Sequence, residues 1–190
     1  MESVLQSNIS DIDLLQRVKN GDQYAYTLIV ERYRRQVAKT VFGMLGDTAE
    51  VDDVGQDVFI RFYHSIDGFR GESSLGTYLT RIAINLSLNE LKKRKRKAFF
   101  FFQKSDGSHM EIDVEDETRM DEEHDNNELV EKALSELEPK FRSVVVLRLI
   151  QGYSTKETAE MLDLPQGTVL SRLARAQDKL KEVIKDLMIV

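Results

Sequence analysis

Cysteine is absent from this chain of 190 residues, which excludes disulfides, thiolate catalysis and every Cys-based zinc site at once. Two prolines and ten glycines are too few for a turn-rich β-sandwich and fit a chain of long helices. No apolar run approaches the ~18 residues that a membrane span needs. The opening Met1-Glu2-Ser3 lacks the basic-then-apolar order of a signal peptide, so a cytoplasmic protein is the expectation. Catalytic signatures are missing too: there is no P-loop, no H-E-x-x-H and no G-x-S-x-G. Asp52, Asp53 and Asp57 imitate a carboxylate cluster, and Glu122-Glu123-His124 imitates a metal site. Solvated or partner-facing charge is the better reading of both. The expectation is a protein that is not an enzyme and carries no metal or cofactor.

With 41% hydrophobic and 32% charged residues, the chain reads as folded, with a heavily charged surface. Its net charge of −6 conceals a division. Residues 1–97 hold 15 basic and 13 acidic side chains (+2), residues 98–128 hold 2 and 11 (−9), and residues 129–190 hold 10 and 9 (+1). All the acidity sits in one middle block, the pattern of a linker or interaction tail. The expected organisation is therefore a domain over 1–97, an acidic flexible linker over 98–128 and a second domain over 129–190. Within that block, Gly107-Ser108-His109-Met110 has the look of a cloning remnant.

Both flanks read as helix after helix, with no strand pattern, so the predicted fold is all-α with two small helical domains. Ser10 caps a helix carrying Ile12, Leu14, Leu15 and Val18, and Gly21 stops it. A second run bears Tyr24, Leu28, Ile29, Tyr33, Val37 and Val41 and ends near Gly43–Gly46. Asp47-Thr48-Ala49-Glu50 resembles a capping box before Val51, Val54, Val58, Phe62 and Ile66. A loop over 68–74 precedes a fourth helix from Leu75 to about Arg96. In the second domain, Leu129 to Leu137 form one helix, and Pro139 opens another that buries Phe141, Val144, Val145, Leu147 and Leu149. Ser154-Thr155-Lys156-Glu157 caps a third helix, broken at Asp163-Leu164-Pro165 before a fourth.

Two of these helices have faces of a particular chemistry. In the last, Val169, Leu173, Ala176 and Leu180 point inward while Thr168, Ser171, Arg172, Arg175 and Lys179 lie opposite. A short helix, a tight turn and such a second helix make a helix-turn-helix, with arginines for guanine edges and hydroxyls for phosphates. A merely wet basic face fits the pattern equally well. The helix from Leu75 pairs an apolar stripe (Leu75, Leu79, Ile82, Ala83, Leu86) with Tyr78, Arg81, Asn85 and Lys92, and runs into the basic hexamer Lys92–Lys97. Cations interleaved with an aromatic suit a single nucleic-acid strand. Cations also complement a helix C-terminus, but six in succession exceed what a helix end requires.

In this order the motifs resemble the bacterial ECF (extracytoplasmic-function) sigma factors. The resemblance covers about residues 10–97 (region 2) and 129–186 (region 4). It rests on Asp52-Asp53-Val54-Gly55-Gln56-Asp57-Val58-Phe59, on Phe69-Arg70-Gly71-Glu72-Ser73-Ser74 through Tyr78-Leu79-Thr80-Arg81-Ile82-Ala83-Ile84-Asn85, and on Gly167 to Ala176. It implies a transcription initiation factor that binds core RNA polymerase, selects promoters and assists −10 melting. Asp52, Asp53, Gln56, Asp57 and Phe59 would dock on the polymerase. Phe69, Arg70, Ser73, Ser74, Tyr78, Arg81, Asn85, Lys92, Lys93 and Arg94 would hold the −10 element. Gly167, Thr168, Ser171, Arg172, Arg175 and Lys179 would read the −35 element. Promoter DNA, core polymerase and an anti-sigma factor are the implied partners. The rival reading is a stand-alone helix-turn-helix regulator.

Some residues depart from the family pattern. Gly55 falls within a helix, Asp163 stands at a turn where Gly is common, and Leu170 and Gln177 replace residues that are often basic. The run Phe99–Phe102 is not a hallmark of the family: it reads either as a partner-docking patch or as a hydrophobic cap on the first domain.

Overall fold

The computed structural model describes residues 9–104 and 122–187, with side chains over 9–100 and 129–186. Most of the acidic block, including Gly107–Met110, lies outside the described residues, as do the side chains of Glu122, Glu123 and His124. Eight α-helices and no strand occur among the described residues. They are α1 (Asp11–Lys19), α2 (Gln23–Leu45), α3 (Glu50–Ser65), α4 (Leu75–Lys104), α5 (Glu122–Ser135), α6 (Pro139–Val145), α7 (Thr155–Leu162) and α8 (Gln166–Leu187). The fold is all-α, and no described helix is long and apolar enough to cross a membrane.

The first unit packs α1, α3 and α4 around α2. Leu14, Ile29, Val37, Val41, Val58, Phe62, Leu79 and Ile84 are its fully buried centre; all but Ile84, which lies beside the expected α4 stripe, come from the helical stripes expected of them. Ser10 caps α1 through the Asp13 amide, and Asp22 caps α2 through that of Ala25, both at 3.1 Å. The capping box expected at Asp47–Glu50 does not form: α3 starts after Ala49 with no side-chain cap. Arg94 takes the Glu50 carboxylate at 2.9 Å and also donates to Thr48 Oγ1 at 2.7 Å. Ile12 is also exposed, because it lies on the side of α1 opposite Leu14, and Tyr24 is half exposed. Helix α4 runs past Arg96 to Lys104, since nothing in Lys97–Lys104 breaks a helix.

Tyr26 ties α2 to α3, its hydroxyl donating to the Phe59 carbonyl at 2.6 Å. Burial, with Tyr63 beside it, raises its pKa from 10.0 to about 12. A raised folded-state pKa means the fold holds the neutral phenol. Its stabilisation is complete below pH ~10 and lost as the pH climbs through the folded value. Tyr26→Phe is expected to cost about 1 kcal/mol near neutrality and to flatten the alkaline loss of stability. Urea melts at about pH 8 and pH 11 measure both; parallel losses in the two proteins would remove Tyr26 from the alkaline transition.

The second unit does not stand apart from the first. Its helices α5–α8 bury Leu134, Leu137, Val144, Val145, Val169 and Ala176 among themselves, while Val146 and Leu147 enter the core of the first unit. The approach is close at Gly43 of α2, where an added Cβ would lie 3.1 Å from Val146 Cγ2. Around that contact the joint is polar. Gln151 donates to Thr40 Oγ1 (2.8 Å), and Gln36 donates to Tyr153 Oη (2.9 Å) and Thr80 Oγ1 (3.0 Å). The buried guanidinium of Arg142 donates to the carbonyls of Met44 (2.7 Å), Leu137 (3.0 Å) and Ser135. Beyond α6 the chain widens into a π-turn over Val146–Ile150. This turn shifts the helical register, so Leu149 is exposed rather than buried as expected.

Candidate nucleic-acid interface

Helix α7, the turn Asp163-Leu164-Pro165 and α8 form the helix-turn-helix. Its entry has the full capping box: Ser154 Oγ accepts from the Glu157 amide (3.2 Å), and Glu157 accepts from the Ser154 amide (2.8 Å). These bonds hold the Glu157 carboxyl below its usual range. Asp163 ends α7 in the left-handed region, φ 52° and ψ 55°, where an L side chain crowds its own backbone. Asp163→Gly is therefore expected to stabilise the protein by about 0.5–1 kcal/mol. An unchanged or lower urea midpoint would mean that the Asp side chain compensates locally.

Val169 and Ala176 anchor α8 in the core, while Ser171, Arg175 and Lys179 stand in solvent and Thr168 and Arg172 are half buried on the same outer side. Ser171 bonds the Thr168 carbonyl of its own helix at 3.0 Å, and Lys179 lies 3.5 Å from Glu182. Gly167 is exposed at the helix start, and Leu170 is 54% exposed on a different side of α8 from Arg172 and Arg175. The described side chains thus present two hydroxyls, two guanidiniums and an ammonium on one outer face.

In the first unit, the loop after α3 and the outer side of α4 converge. Ser74 caps α4, accepting from the Thr77 amide at 3.1 Å, while Arg70 is exposed and Ser73 half exposed beside it. Tyr78 is half buried: Phe69 meets it edge-on at 5.0 Å, Phe62 does so at 6.1 Å, and Arg81 lies 5.2 Å from its ring centre. Its hydroxyl donates to Ser65 Oγ at 3.2 Å. Arg81, Asn85, Lys92 and Lys93 are exposed, with Lys93 paired to Glu90 at 3.1 Å. Arg94 points the other way, into its contacts with Glu50, Thr48 and the Leu45 carbonyl. Lys95 and Arg96, beyond the ten residues expected to hold the −10 element, are exposed on the Lys92 side of α4. Their position three and four residues after Lys92 was the available signal.

The acidic residues of α3 form a third open surface. Asp52, Asp53, Gln56 and Asp57 are all exposed, whereas Phe59 is half buried and packs on the core. Ile60 and Tyr63 extend this surface at 54% and 47% exposure. No cluster of side chains able to hold a metal ion occurs among the described residues.

Fold and surfaces define an all-helical protein with one basic face on each of two units and a separate acidic face on α3. The model of Sigma-70 region 2 matches residues 29–97, and that of Sigma-70 region 4 matches residues 127–180. The RNA polymerase sigma-H factor of Pseudomonas aeruginosa is 31% identical over 188 residues, covering 94% of this chain and 95% of the relative. The ECF RNA polymerase sigma-E factor of Escherichia coli is 32% identical over 194 residues, covering 97% and 99%. Among solved structures, CnrH in complex with the cytosolic domain of CnrY superposes with a TM-score of 0.64 at 25% identity, covering 91% of this chain and 96% of that one. The chain belongs to the ECF RNA polymerase sigma factors. It is thus a transcription initiation factor rather than a stand-alone helix-turn-helix regulator.

Proposed function

We propose the following division of labour. The outer face of α3 (Asp52, Asp53, Gln56, Asp57, with Phe59 behind) docks on core RNA polymerase. The loop Phe69–Ser74 and the α4 face bearing Tyr78, Arg81, Asn85, Lys92 and Lys93 hold the −10 strand, with Arg94 fastening α4 to the start of α3. The α8 residues Gly167, Thr168, Ser171, Arg172, Arg175 and Lys179 read the −35 duplex. Region 2 spans 1–97 and region 4 spans 129–190, joined by the acidic segment 98–128. The protein acts in the cytoplasm without catalysing a reaction itself, and an anti-sigma protein controls it; the structural relative CnrH was itself solved in complex with a second protein, the cytosolic domain of CnrY.

The observation that carries this reading is that all three surfaces are open at once in one chain. Run-off transcription with core polymerase on a promoter library tests it. Arg172→Ala is expected to cost about 1–3 kcal/mol of discrimination at one −35 position, whereas Lys179→Ala weakens binding evenly across sequences. An unaltered −35 preference in the Arg172 variant would remove α8 from the reading role.

A further inference from the structure

The nucleic-acid face of α4 continues beyond the residues assigned above. At about 100° per residue, Tyr78, Arg81, Asn85, Lys92, Lys95, Arg96 and Phe99 fall within an arc of roughly 100° along the helix. Glu90 is the one carboxylate between Leu75 and Phe100; it lies on the far side and is paired with Lys93. From Tyr78 to Phe99 the track is about 32 Å long at a rise of 1.5 Å per residue, room for several nucleotides. It stays open with the two units packed together.

The aromatic on this track best placed to meet a ligand is Phe99 rather than Tyr78. Tyr78 has Phe62 and Phe69 at its edges, Arg81 over its face and its hydroxyl bonded to Ser65. Phe99 is 64% exposed, one turn beyond Lys95 and Arg96, with Phe100 against its edge at 6.2 Å. It therefore caps no part of the first unit's core. A cationic stripe attracts a phosphate backbone. An open ring at the end of such a stripe offers stacking to a group with a π-face, which an unpaired base presents and a paired one keeps within its stack.

We propose that Phe99 is a base-stacking platform for single-stranded DNA, with Lys92, Lys95 and Arg96 holding the phosphates of the strand that reaches it. The proposal rests on the strand-binding role given above to α4. It adds a second anchor about 32 Å along the helix from Tyr78, so that an opened strand is held at two points.

The test uses holoenzyme assembled from core polymerase and the full chain, with core polymerase alone as background. The probe is a thymidine strand of roughly 20 nucleotides carrying one 2-aminopurine, moved position by position. Wild-type holoenzyme is expected to quench the 2-aminopurine at one position. Phe99→Ala should abolish that quench and weaken binding about tenfold, while Phe99→Trp retains both. Lys95→Ala with Arg96→Ala should flatten the salt dependence of log K by about 1.4. Lys97→Ala, off the arc, should change neither quench nor affinity. A Phe99→Ala holoenzyme with wild-type quench and affinity overturns the proposal, as does an equal loss on duplex DNA. If Tyr78→Ala with Asn85→Ala abolishes strand binding while Phe99→Ala does not, the platform fails and the −10 role of α4 stands. If wild-type holoenzyme binds the strand no better than core polymerase, both fail.

Discussion

Arg142→Met is expected to lower the unfolding free energy by about 2–4 kcal/mol, more than any surface change in this protein. The last carbonyls of a helix have no partner within it. Here one guanidinium serves the Met44 carbonyl near the end of α2, the Ser135 carbonyl at the end of α5 and the Leu137 carbonyl just before α6. Arg142 is 7% exposed, and its burial, with Arg94 second, lowers its pKa without discharging it. Methionine keeps much of the stem volume but takes the donors away from these carbonyls in a largely buried joint. Arg142→Lys should recover less than half of the loss, because an ammonium cannot reach acceptors on separate elements as a planar fork does. Urea melts monitored separately in the two units should lose coincidence in Arg142→Met. A wild-type midpoint would mean that water replaces the guanidinium without cost.

Reversing charge at Asp53 and Asp57 together (Asp53→Lys with Asp57→Lys) should raise the dissociation constant for core polymerase by about a hundredfold, or roughly 2.7 kcal/mol. Both side chains are exposed on α3, so the interior is undisturbed. Asp53 also lies in the first turn, where a cation opposes the helix dipole at a cost of about 0.3–1 kcal/mol. Circular dichroism should therefore show an intact fold with a slightly lower melting temperature, while a pull-down with core polymerase loses the complex. The Asp→Asn pair should give a smaller loss, separating removed attraction from added repulsion. Full holoenzyme formation by the Lys pair would move the docking surface off α3.

Helix positions, the apolar stripes of α3, α4 and α8, and the outer faces of α4 and α8 were legible in the sequence, because a helix repeats its side-chain directions every few residues. Val54, Val58 and Phe62 had to share a side wherever α3 packed, and so did Arg172 and Arg175 on α8. Local chemistry was equally legible at Ser154–Glu157, where both partners of the capping box lie within one turn and nothing competes for them.

The capping box at Asp47–Glu50 failed for the opposite reason. Its Glu50 carboxylate is taken by Arg94, more than forty positions away, a competitor that no local window contains. The same limit hid the seating of region 4 on α2, which depends on the missing side chain at Gly43 meeting Val146 and on Arg142 finding the end of α2. It also hid which aromatic of α4 is open: the helical period places Tyr78 and Phe99 on one side of the helix, but only the packing of Phe62 and Phe69 engages the first and leaves the second in solvent. Periodicity along the chain determined the faces. Contacts between residues distant in sequence decided which groups on those faces remain available.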